Sequence, residues 1–348
     1  KFIDWAGARR GYVWAIFVWS LAACLHAACG WATMHIEGVE SIEALYAIES
    51  GSALALAVAS VSVWLFLGCR ALLALGEAGN FPAAIKVTAM YFPKKDRAFS
   101  TAVFNSGASV GALVAPLSIP LLARALGWEM AFVIIGALGF VWMGFWMRMY
   151  AAPEDSSHVN AAELAYIRQD EAGETEQQIE AEEHDTIPFW RCFTFRQTWA
   201  FITGKALTDG VWWFFLFWTP AYFSDQYGYA SYTPMGQALI FTLYLIVTVV
   251  SIGGGYLPKL FVERRGMNPY AGRMRAMLIF AFMPVLALLA QPLGVYSAWW
   301  PAIIIGIACA GHQAWSANLY STIGDMFPTS TVASIVGIGT MAGGIGSY

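Results

Sequence analysis

Charged residues are scarce in this sequence. Of its 348 residues, only 12% are Asp, Glu, Lys or Arg, whereas 58% are hydrophobic and 16% are aromatic. A soluble domain carries about 25% charged residues, so this chain lacks enough polar surface to face water on all sides. Its apolar runs recur at about 20 residues, the length at which a helix crosses a bilayer. The composition predicts an all-α, polytopic protein embedded in a lipid bilayer, and the alternating segments of a β-barrel do not occur.

Patterns for metals, cofactors and catalysis are also lacking. The five cysteines show no metal or redox spacing, and in apolar runs cysteine is mostly a small hydrophobic residue. The histidines are His26, His35, His158, His184 and His312. They are scattered, and neither an acid dyad nor a nucleophile with its base is visible. We therefore expect no enzyme, no cofactor and no metal, and the absence of a basic patch argues against a nucleic-acid partner.

Acidic residues are concentrated in residues 153–187, against the single Arg168. The acids there are Glu154, Asp155, Glu163, Asp170, Glu171, Glu174, Glu176, Glu180, Glu182, Glu183 and Asp185. Such a charge run cannot bury a core, so we predict a solvated linker. The chain then divides into an N-terminal half at residues 1–150, a cytoplasmic linker at 151–195 and a C-terminal half at 196–348.

Basic residues are missing from every second loop. Loops 1–10, 93–98 and 258–275 carry clusters of Lys and Arg, whereas loops 34–52, 223–236 and 291–298 carry none. Loops rich in Lys and Arg stay in the cytoplasm. The alternation predicts that each apolar run spans the membrane once, with the basic loops and the acidic linker inside. The runs predict roughly eight to nine spans of bilayer length.

Two charges interrupt the long apolar run at residues 53–92. Arg70 and Glu77 are seven residues apart, about two helical turns, so they lie on nearly the same helix face. A charge inside a membrane helix is costly and marks a functional site by default. The alternative is a structural pair that joins two helices. We predict one long helix over residues 58–92, kinked at Pro82.

Two further spans carry isolated polar side chains. Lys205 and Asp209 are spaced i,i+4 on one helix face, just before Trp212. They form either an anion-binding face or a salt bridge near a helix end, beside an aromatic belt. Asn105 stands among small residues that suit helix packing, and its amide suits a cavity as well.

The span at residues 299–325 contains hydrogen-bonding side chains within seven positions. They are His312, Gln313, Trp315, Ser316 and Asn318. Lipid cannot satisfy polar groups that wrap around more than one helix face, so the pattern favours a polar cavity. The alternative is a structural network, because polar side chains also join membrane helices.

Several short motifs resemble a known family. Two loops carry the first resemblance, through Asp4, Gly7, Arg9 and Arg10, and through Arg264 and Arg265. The first loop resembles the end of the motif between the second and third helices of the major facilitator superfamily, and the second loop is similar to its degenerate copy. Five further stretches resemble the anion:cation symporter family within it, which includes bacterial hexuronate and other sugar-acid transporters: RALLALGEAGNFPAAIK, FPKKDRA, FNSG, LTDGVWWFFLFWTPAYF and HQAWSANLYSTIGDMFP.

The resemblance implies proton-driven symport of a small organic anion by alternating access of two halves. It implies that Glu77 titrates during proton coupling and that Arg70 supports its charge state. The two loops would act as gates. The residues implied to line a polar, aromatic cavity for a sugar acid are Asn105, Lys205, Asp209, Trp212, His312, Gln313, Trp315 and Asn318.

The resemblance also sets expectations for partners and location. A small organic anion and protons would be the partners of a monomer in a bacterial inner membrane. The match runs from the third helix to part of the eleventh, so both ends are expected to be missing. The family's principal carboxylate-binding Arg lies in the first helix, which leaves Lys205 as a substitute candidate. Gly343 and Gly344 stand where relatives often carry a polar residue.

Other functions stay open at this point. A facilitator or exchanger of organic anions without proton coupling would show no substrate-dependent proton uptake. A transporter-like membrane sensor or scaffold, with the acidic linker recruiting a partner, would lose signalling while transport stayed intact.

Overall fold

The computed structural model describes residues 1–171 and 187–347, and that part of the chain contains helices but no strand. The α-helices are α1 (Phe2–His26), α2 (Cys29–Ile36), α3 (Ile42–Tyr46), α4 (Ala53–Glu77), α5 (Asn80–Tyr91), α6 (Lys94–Leu126), α7 (Trp128–Met149), α8 (Ala161–Ile167), α9 (Arg196–Tyr227), α10 (Pro234–Arg265), α11 (Pro269–Phe282), α12 (Ala290–Gly294), α13 (Trp299–Met326) and α14 (Thr329–Gly346). Short 3-10 helices lie at Gln169–Glu171, Phe189–Thr194 and Met283–Leu289. The all-α prediction is confirmed.

The described residues contain nine long helical segments, at the upper end of the eight to nine spans predicted. Six of them are long and apolar enough to cross a membrane, if α4 with α5 and α11 with α12 each count as one segment. Helices α1 and α2, bent by 52° to each other, make a seventh if they form one span. The other two, α9 and α13, are 32 and 28 residues long. Polar residues such as Lys205 and His312 lower their hydropathy. The architecture is that of a multi-pass membrane protein.

Local sequence signals fix where several of these helices begin and end. The Oγ of Ser52 accepts a hydrogen bond from the Ala55 amide at 3.1 Å, so α4 begins with a capped turn. Pro234 opens α10, where its missing N–H leaves no helical bond unmade. The same helix ends at Gly266, whose φ of 60° lies in the left-handed region that favours glycine.

The long helix predicted over residues 58–92 is broken at a different place. Helix α4 ends at Glu77 and α5 begins at Asn80, so the break falls on Ala78 and Gly79 rather than at Pro82. Pro82 lies in the first turn of α5, where a proline is tolerated because that turn has free amides in any case. The kink prediction was therefore wrong in its position, and Glu77 is the last residue of α4.

Contacts divide the chain into two compact units. Unit 1 comprises Lys1–Ala8, Phe81–Leu117 and Ala151–Tyr348, and unit 2 comprises Arg9–Asn80 and Ser118–Tyr150. This division differs from the halves expected from sequence position, which stay a prediction. Of the acidic linker, residues 172–186 lie outside the described part, together with the acids Glu174, Glu176, Glu180, Glu182, Glu183 and Asp185 and with His184.

In unit 1, glycines let α10 approach its neighbours closely. A Cβ added at Gly255 would overlap the Cβ of Ala102 on α6, and one added at Gly254 would lie 2.5 Å from the Cβ of Ala314 on α13. Such contacts are sterically forbidden, so these positions must lack a side chain. Ala314 directly follows Gln313, so this packing sets the position of one of the polar side chains.

In unit 2, α1 packs directly against α4 and α7. A Cβ added at Gly76 would overlap the backbone of Trp19, and one added at Gly136 would overlap Cys24. Gly76 is therefore the point where α4 crosses α1. This crossing holds the neighbouring Glu77 at the end of α4, close to α1.

Candidate functional site

Lys205 of α9 is buried in unit 1 beside a carboxylate. Its Nζ lies 2.6 Å from Oδ1 of Asp209, and the two side chains are 4% and 16% exposed. The ammonium also lies 4.4 Å from the centroid of the Tyr320 ring on α13, where the π face attracts a cation. The ammonium is held inside unit 1 and does not extend to the surface.

The Asp209 carboxylate fits because the facing helix carries a glycine. A Cβ added at Gly343 of α14 would overlap Oδ2 of Asp209, whereas one added at Gly344 would meet nothing within 4 Å. Oδ2 accepts no hydrogen bond from the described residues, and the lysine binds only Oδ1. Gly343 thus makes room for the free oxygen of the pair.

His312 is buried without a hydrogen-bond partner among the described residues. Only 5% of the residue is exposed, and both ring nitrogens are unpaired. The imidazole lies within electrostatic range of the Lys205 ammonium. A buried polar group without a partner destabilises the protein by roughly 1–3 kcal/mol, and a bound ligand or water would relieve this.

Two amide side chains meet where α6 and α13 approach each other. Nδ2 of Asn105 donates to Oε1 of Gln313 at 3.0 Å, and both residues are 5% exposed. One turn further along α13, Asn318 donates to the Ala314 carbonyl at 2.8 Å, while its own Oδ1 is buried and unpaired in the described part of the chain. Helix α13 therefore carries two residues, His312 and Asn318, with unused hydrogen-bonding capacity.

The two predicted tryptophans lie in different surroundings. A Cβ at Gly204 would lie 3.4 Å from the Trp315 ring, so Trp315 packs against α9 at Gly204. Trp212 packs instead against an apolar core cluster that includes Phe215 and Leu243. Trp315 is thus the tryptophan that packs against α9 in this region, at Gly204.

Arg70 and Glu77 belong to unit 2, and both are exposed in the described chain. Neither side chain forms a hydrogen bond or an ion pair with another described residue. They lie on α4, and Glu77 ends that helix. Their predicted part in proton coupling stays a prediction.

Asp4, one of the predicted gating residues, joins three elements within unit 1. Its Oδ1 lies 3.1 Å from Nζ of Lys86 on α5, and the Asp4 side chain is fully buried. Its Oδ2 accepts hydrogen bonds from the amide and the hydroxyl of Ser334 on α14, at 2.7 Å and 2.5 Å. The prediction of a loop over residues 1–10 was wrong, since this stretch forms the start of α1 and departs from helical geometry at Gly7, where φ is 76°. The start of α1 is bound to α5 and α14 through the Asp4 carboxylate.

The four predicted gating arginines lie in α1 and in the last turn of α10, have no acidic partner among the described residues, and are all exposed: Arg9, Arg10, Arg264 and Arg265. Nη2 of Arg9 donates to the Met147 carbonyl at 3.0 Å. The guanidinium of Arg265 lies 5.5 Å from the Phe261 ring centroid. Of the predicted gating residues in the described part, Asp4 alone makes an ion pair.

A buried charge cluster in unit 1 was missed by the sequence analysis. The Arg273 guanidinium on α11, only 1% exposed, pairs with Oδ2 of Asp325 on α13 and donates to the Lys94 carbonyl. Arg97 on α6 pairs with the other oxygen, Oδ1 of Asp325, at 3.2 Å. The sequence did hold a signal for this cluster. Asp325 is the only acidic or basic residue apart from His312 in the apolar run that forms α13, and arginines occur in the predicted loops 93–98 and 258–275.

The described start of the acidic linker docks beside this cluster. The Tyr166 hydroxyl donates to Oδ2 of Asp96 at 2.6 Å, and Nζ of Lys259 lies 2.7 Å from Oδ1 of the same carboxylate. Oδ2 of Asp170 accepts a hydrogen bond from the Lys94 amide at 2.6 Å, at the N-terminus of α6, where a negative charge is favoured.

Within the described residues, no group of His, Cys, Asp and Glu side chains has the arrangement to hold a metal ion. The buried polar groups of unit 1 instead offer a cation, an imidazole and amides. An ammonium suits a carboxylate, and amides suit hydroxyls.

The family model of the Major Facilitator Superfamily matches residues 1–348. The chain belongs to the major facilitator superfamily. The predicted superfamily is therefore confirmed. The relatives described next are transporters rather than enzymes. The finer assignment to the anion:cation symporters stays a prediction.

Two superfamily relatives are named for sugar acids. The Hexuronate transporter of Escherichia coli (strain K12) is 29% identical over 291 residues, which cover 80% of this chain and 62% of the relative. The Galacturonate transporter of Dickeya chrysanthemi is 28% identical over 223 residues, which cover 62% of this chain and 61% of the relative. The chain thus spans about three fifths of the length of the curated relatives it matches.

A solved structure shows the same fold. It is the proton:xylose symporter XylE bound to 6-bromo-6-deoxy-D-glucose, with a TM-score of 0.57. The match covers 99% of this chain and 76% of that chain at 15% identity. At this identity the likeness establishes the fold alone.

Proposed function

We propose that the full-length protein is a proton-driven symporter of a hexuronate, such as glucuronate or galacturonate, or of a similar sugar acid. It works as a monomer in a bacterial inner membrane. Support comes from the relatives named for hexuronate and galacturonate, which come from the bacteria Escherichia coli and Dickeya chrysanthemi.

The observation that carries the proposal is that the buried ammonium of Lys205 lies in the same unit as buried polar groups that have no partner among the described residues. A sugar acid needs a cation for its carboxylate and hydrogen-bonding groups for its hydroxyls. Lys205 supplies the cation, and the unpaired groups of His312 and Asn318 supply donors and acceptors. Trp315 adds an apolar wall next to α9.

Proton coupling is assigned to Glu77, with Arg70 about two turns away on the same helix. An acid within a membrane-spanning helix marks a functional site by default, and the resemblance of the stretch around it supports the same assignment. In the proposed cycle, two halves rock about the site. The contacts of Asp4 with Lys86 and Ser334 break and reform as the cytoplasmic side opens.

The substrate class is tested by counterflow in proteoliposomes loaded with unlabelled glucuronate. The full-length protein is expected to exchange labelled glucuronate and galacturonate, and uncharged glucose should not compete. Lys205→Gln should lower exchange at least tenfold, which corresponds to about 1.4 kcal/mol, whereas Lys205→Arg should retain part of it. Equal competition by glucose, or an unaffected Lys205→Gln, would contradict the proposal.

A further inference from the structure

We propose that Asp209 is a second proton-binding residue, which takes up a proton when the carboxylate of the sugar acid binds Lys205. This inference rests on the proposed function, since it requires an anionic substrate at Lys205. It assigns to Asp209 a role beyond lining the site.

The geometry makes the substrate and Asp209 compete for one cation. The ammonium of Lys205 is 2.6 Å from Oδ1 of Asp209 and 4.4 Å from the centroid of the Tyr320 ring. The Asp209 side chain is the more exposed of the pair, at 16% against 4%. A carboxylate that reaches the buried ammonium must therefore come close to Asp209.

Two carboxylates at one ammonium leave an uncompensated negative charge in a buried place. Carboxylates that share a site do not both stay ionised readily, so one of them binds a proton. The sugar acid keeps its charge if it takes the ammonium, and the proton then adds to Asp209. The proton comes from the water on the side from which the substrate enters, and it forms an O–H bond without any redox step.

One other titratable group near Asp209 could accept the proton in its place. On its own helix the neighbour is Lys205, and on α13 the groups that face the pair are Tyr320 and His312. Helix α14, which faces Oδ2 through Gly343, contains no titratable side chain between Thr329 and Gly346. A phenol is a poor proton acceptor near neutral pH, which leaves His312 as the rival.

The free oxygen of Asp209 supplies the place for the proton. Oδ1 is bound to Lys205, whereas Oδ2 accepts no hydrogen bond from the described residues. Gly343 leaves space at Oδ2 that any side chain would fill. A proton on Oδ2 would convert the ion pair into a neutral acid and would free the ammonium for the substrate.

The test is the number of protons taken up when glucuronate binds to the full-length protein, measured by titration calorimetry in buffers of different ionisation enthalpy. The background is Glu77→Gln, so that Glu77 cannot contribute. In that background we expect about one proton per bound glucuronate. Asp209→Asn should remove the uptake, and Asp209→Glu should keep it. The exposed Asp225→Asn on the same helix is the matched control and should behave as its parent.

The outcomes separate the two proposals. If the wild-type protein binds neither glucuronate nor galacturonate, the proposed function is wrong. If glucuronate binds but the Glu77→Gln protein takes up no proton, or Asp209→Asn takes up as many as its parent, the role of Asp209 is overturned. Loss of uptake in His312→Gln with uptake kept in Asp209→Asn would move the proton to the imidazole. Thermal unfolding of each variant shows whether it is folded. The Glu77→Gln protein alone decides whether proton uptake occurs without Glu77, even if an Asp209 variant fails to fold.

Discussion

The ammonium of Lys205 is the residue on which the chemistry of the candidate site depends. Its i,i+4 spacing to Asp209 was visible in the sequence, but the facing groups Tyr320 and Gly343 come from two other helices. Spacing along one helix cannot reveal such neighbours. The sequence indicated the pair, and the structure shows that it is buried.

Gly343→Ala tests whether the space at Asp209 matters. The added methyl group would overlap Oδ2 of Asp209, so the carboxylate must move and the pair with Lys205 must weaken. We expect glucuronate uptake to fall about tenfold, as for a loss of about 1.4 kcal/mol. The matched control is Gly344→Ala, whose methyl meets nothing within 4 Å.

Radiolabelled uptake by the two variants, normalised to the amount of folded protein, gives the comparison. Equal uptake by both variants would show that Gly343 is not needed for the pair.

Asp325→Asn tests the buried cluster. Arg273 is 1% exposed and would lose its anionic partner, and breaking a buried pair in this way destabilises a protein by roughly 3–5 kcal/mol. We expect a clearly lower thermal unfolding temperature in detergent. Asp225→Asn, an exposed acid on α9, should leave that temperature unchanged. An unchanged unfolding temperature in Asp325→Asn would show that the cluster does not stabilise the fold.

At the scale of elements, the linker helix α8 is joined to α6 and, through a shared carboxylate, to α10. Tyr166 binds Asp96, which also pairs with Lys259, and Asp170 caps the amide of Lys94. The start of the linker is thus held at the end of α6 that carries the basic loop.

Tyr166→Phe removes the hydroxyl that binds Asp96. Loss of one hydrogen bond, about 1 kcal/mol, should raise the undocked population about fivefold. Limited proteolysis within residues 161–171 should speed up accordingly, because cleavage follows the population of the open form. Tyr232→Phe, at an exposed tyrosine in another loop, is the control. Cleavage at the wild-type rate in Tyr166→Phe would mean that this bond does not hold the linker.

The elements themselves were largely predictable, since each long helical segment follows an apolar run of bilayer length. The break between α4 and α5 was not, because the sequence offers a proline at 82 as well as the glycine at 79. The Arg273–Asp325 pair was not predictable either, since its partners lie far apart in the chain and meet only through packing. The isolated groups of α13 were found because polar residues stand out in an apolar run.

At the scale of the whole molecule, the fold is that of the major facilitator superfamily, and the account requires that substrate and proton move together. The charged residues that would couple them are divided between the units: Glu77 and Arg70 lie in unit 2, and Lys205 and Asp209 in unit 1. An exchanger without proton coupling would have the same fold, so only transport measurements distinguish the two.

The most direct measurement is glucuronate uptake into proteoliposomes by the full-length protein, with and without an inward proton gradient. The account predicts accumulation only with the gradient in the wild-type protein. Glu77→Gln should keep exchange but accumulate less glucuronate than wild type under the same gradient, because only the proton of Asp209 then accompanies the substrate. Glu49→Gln, at an exposed acid in a loop, should behave as wild type. Uptake that ignores the gradient, or a Glu77→Gln protein that accumulates normally, would contradict proton coupling through Glu77.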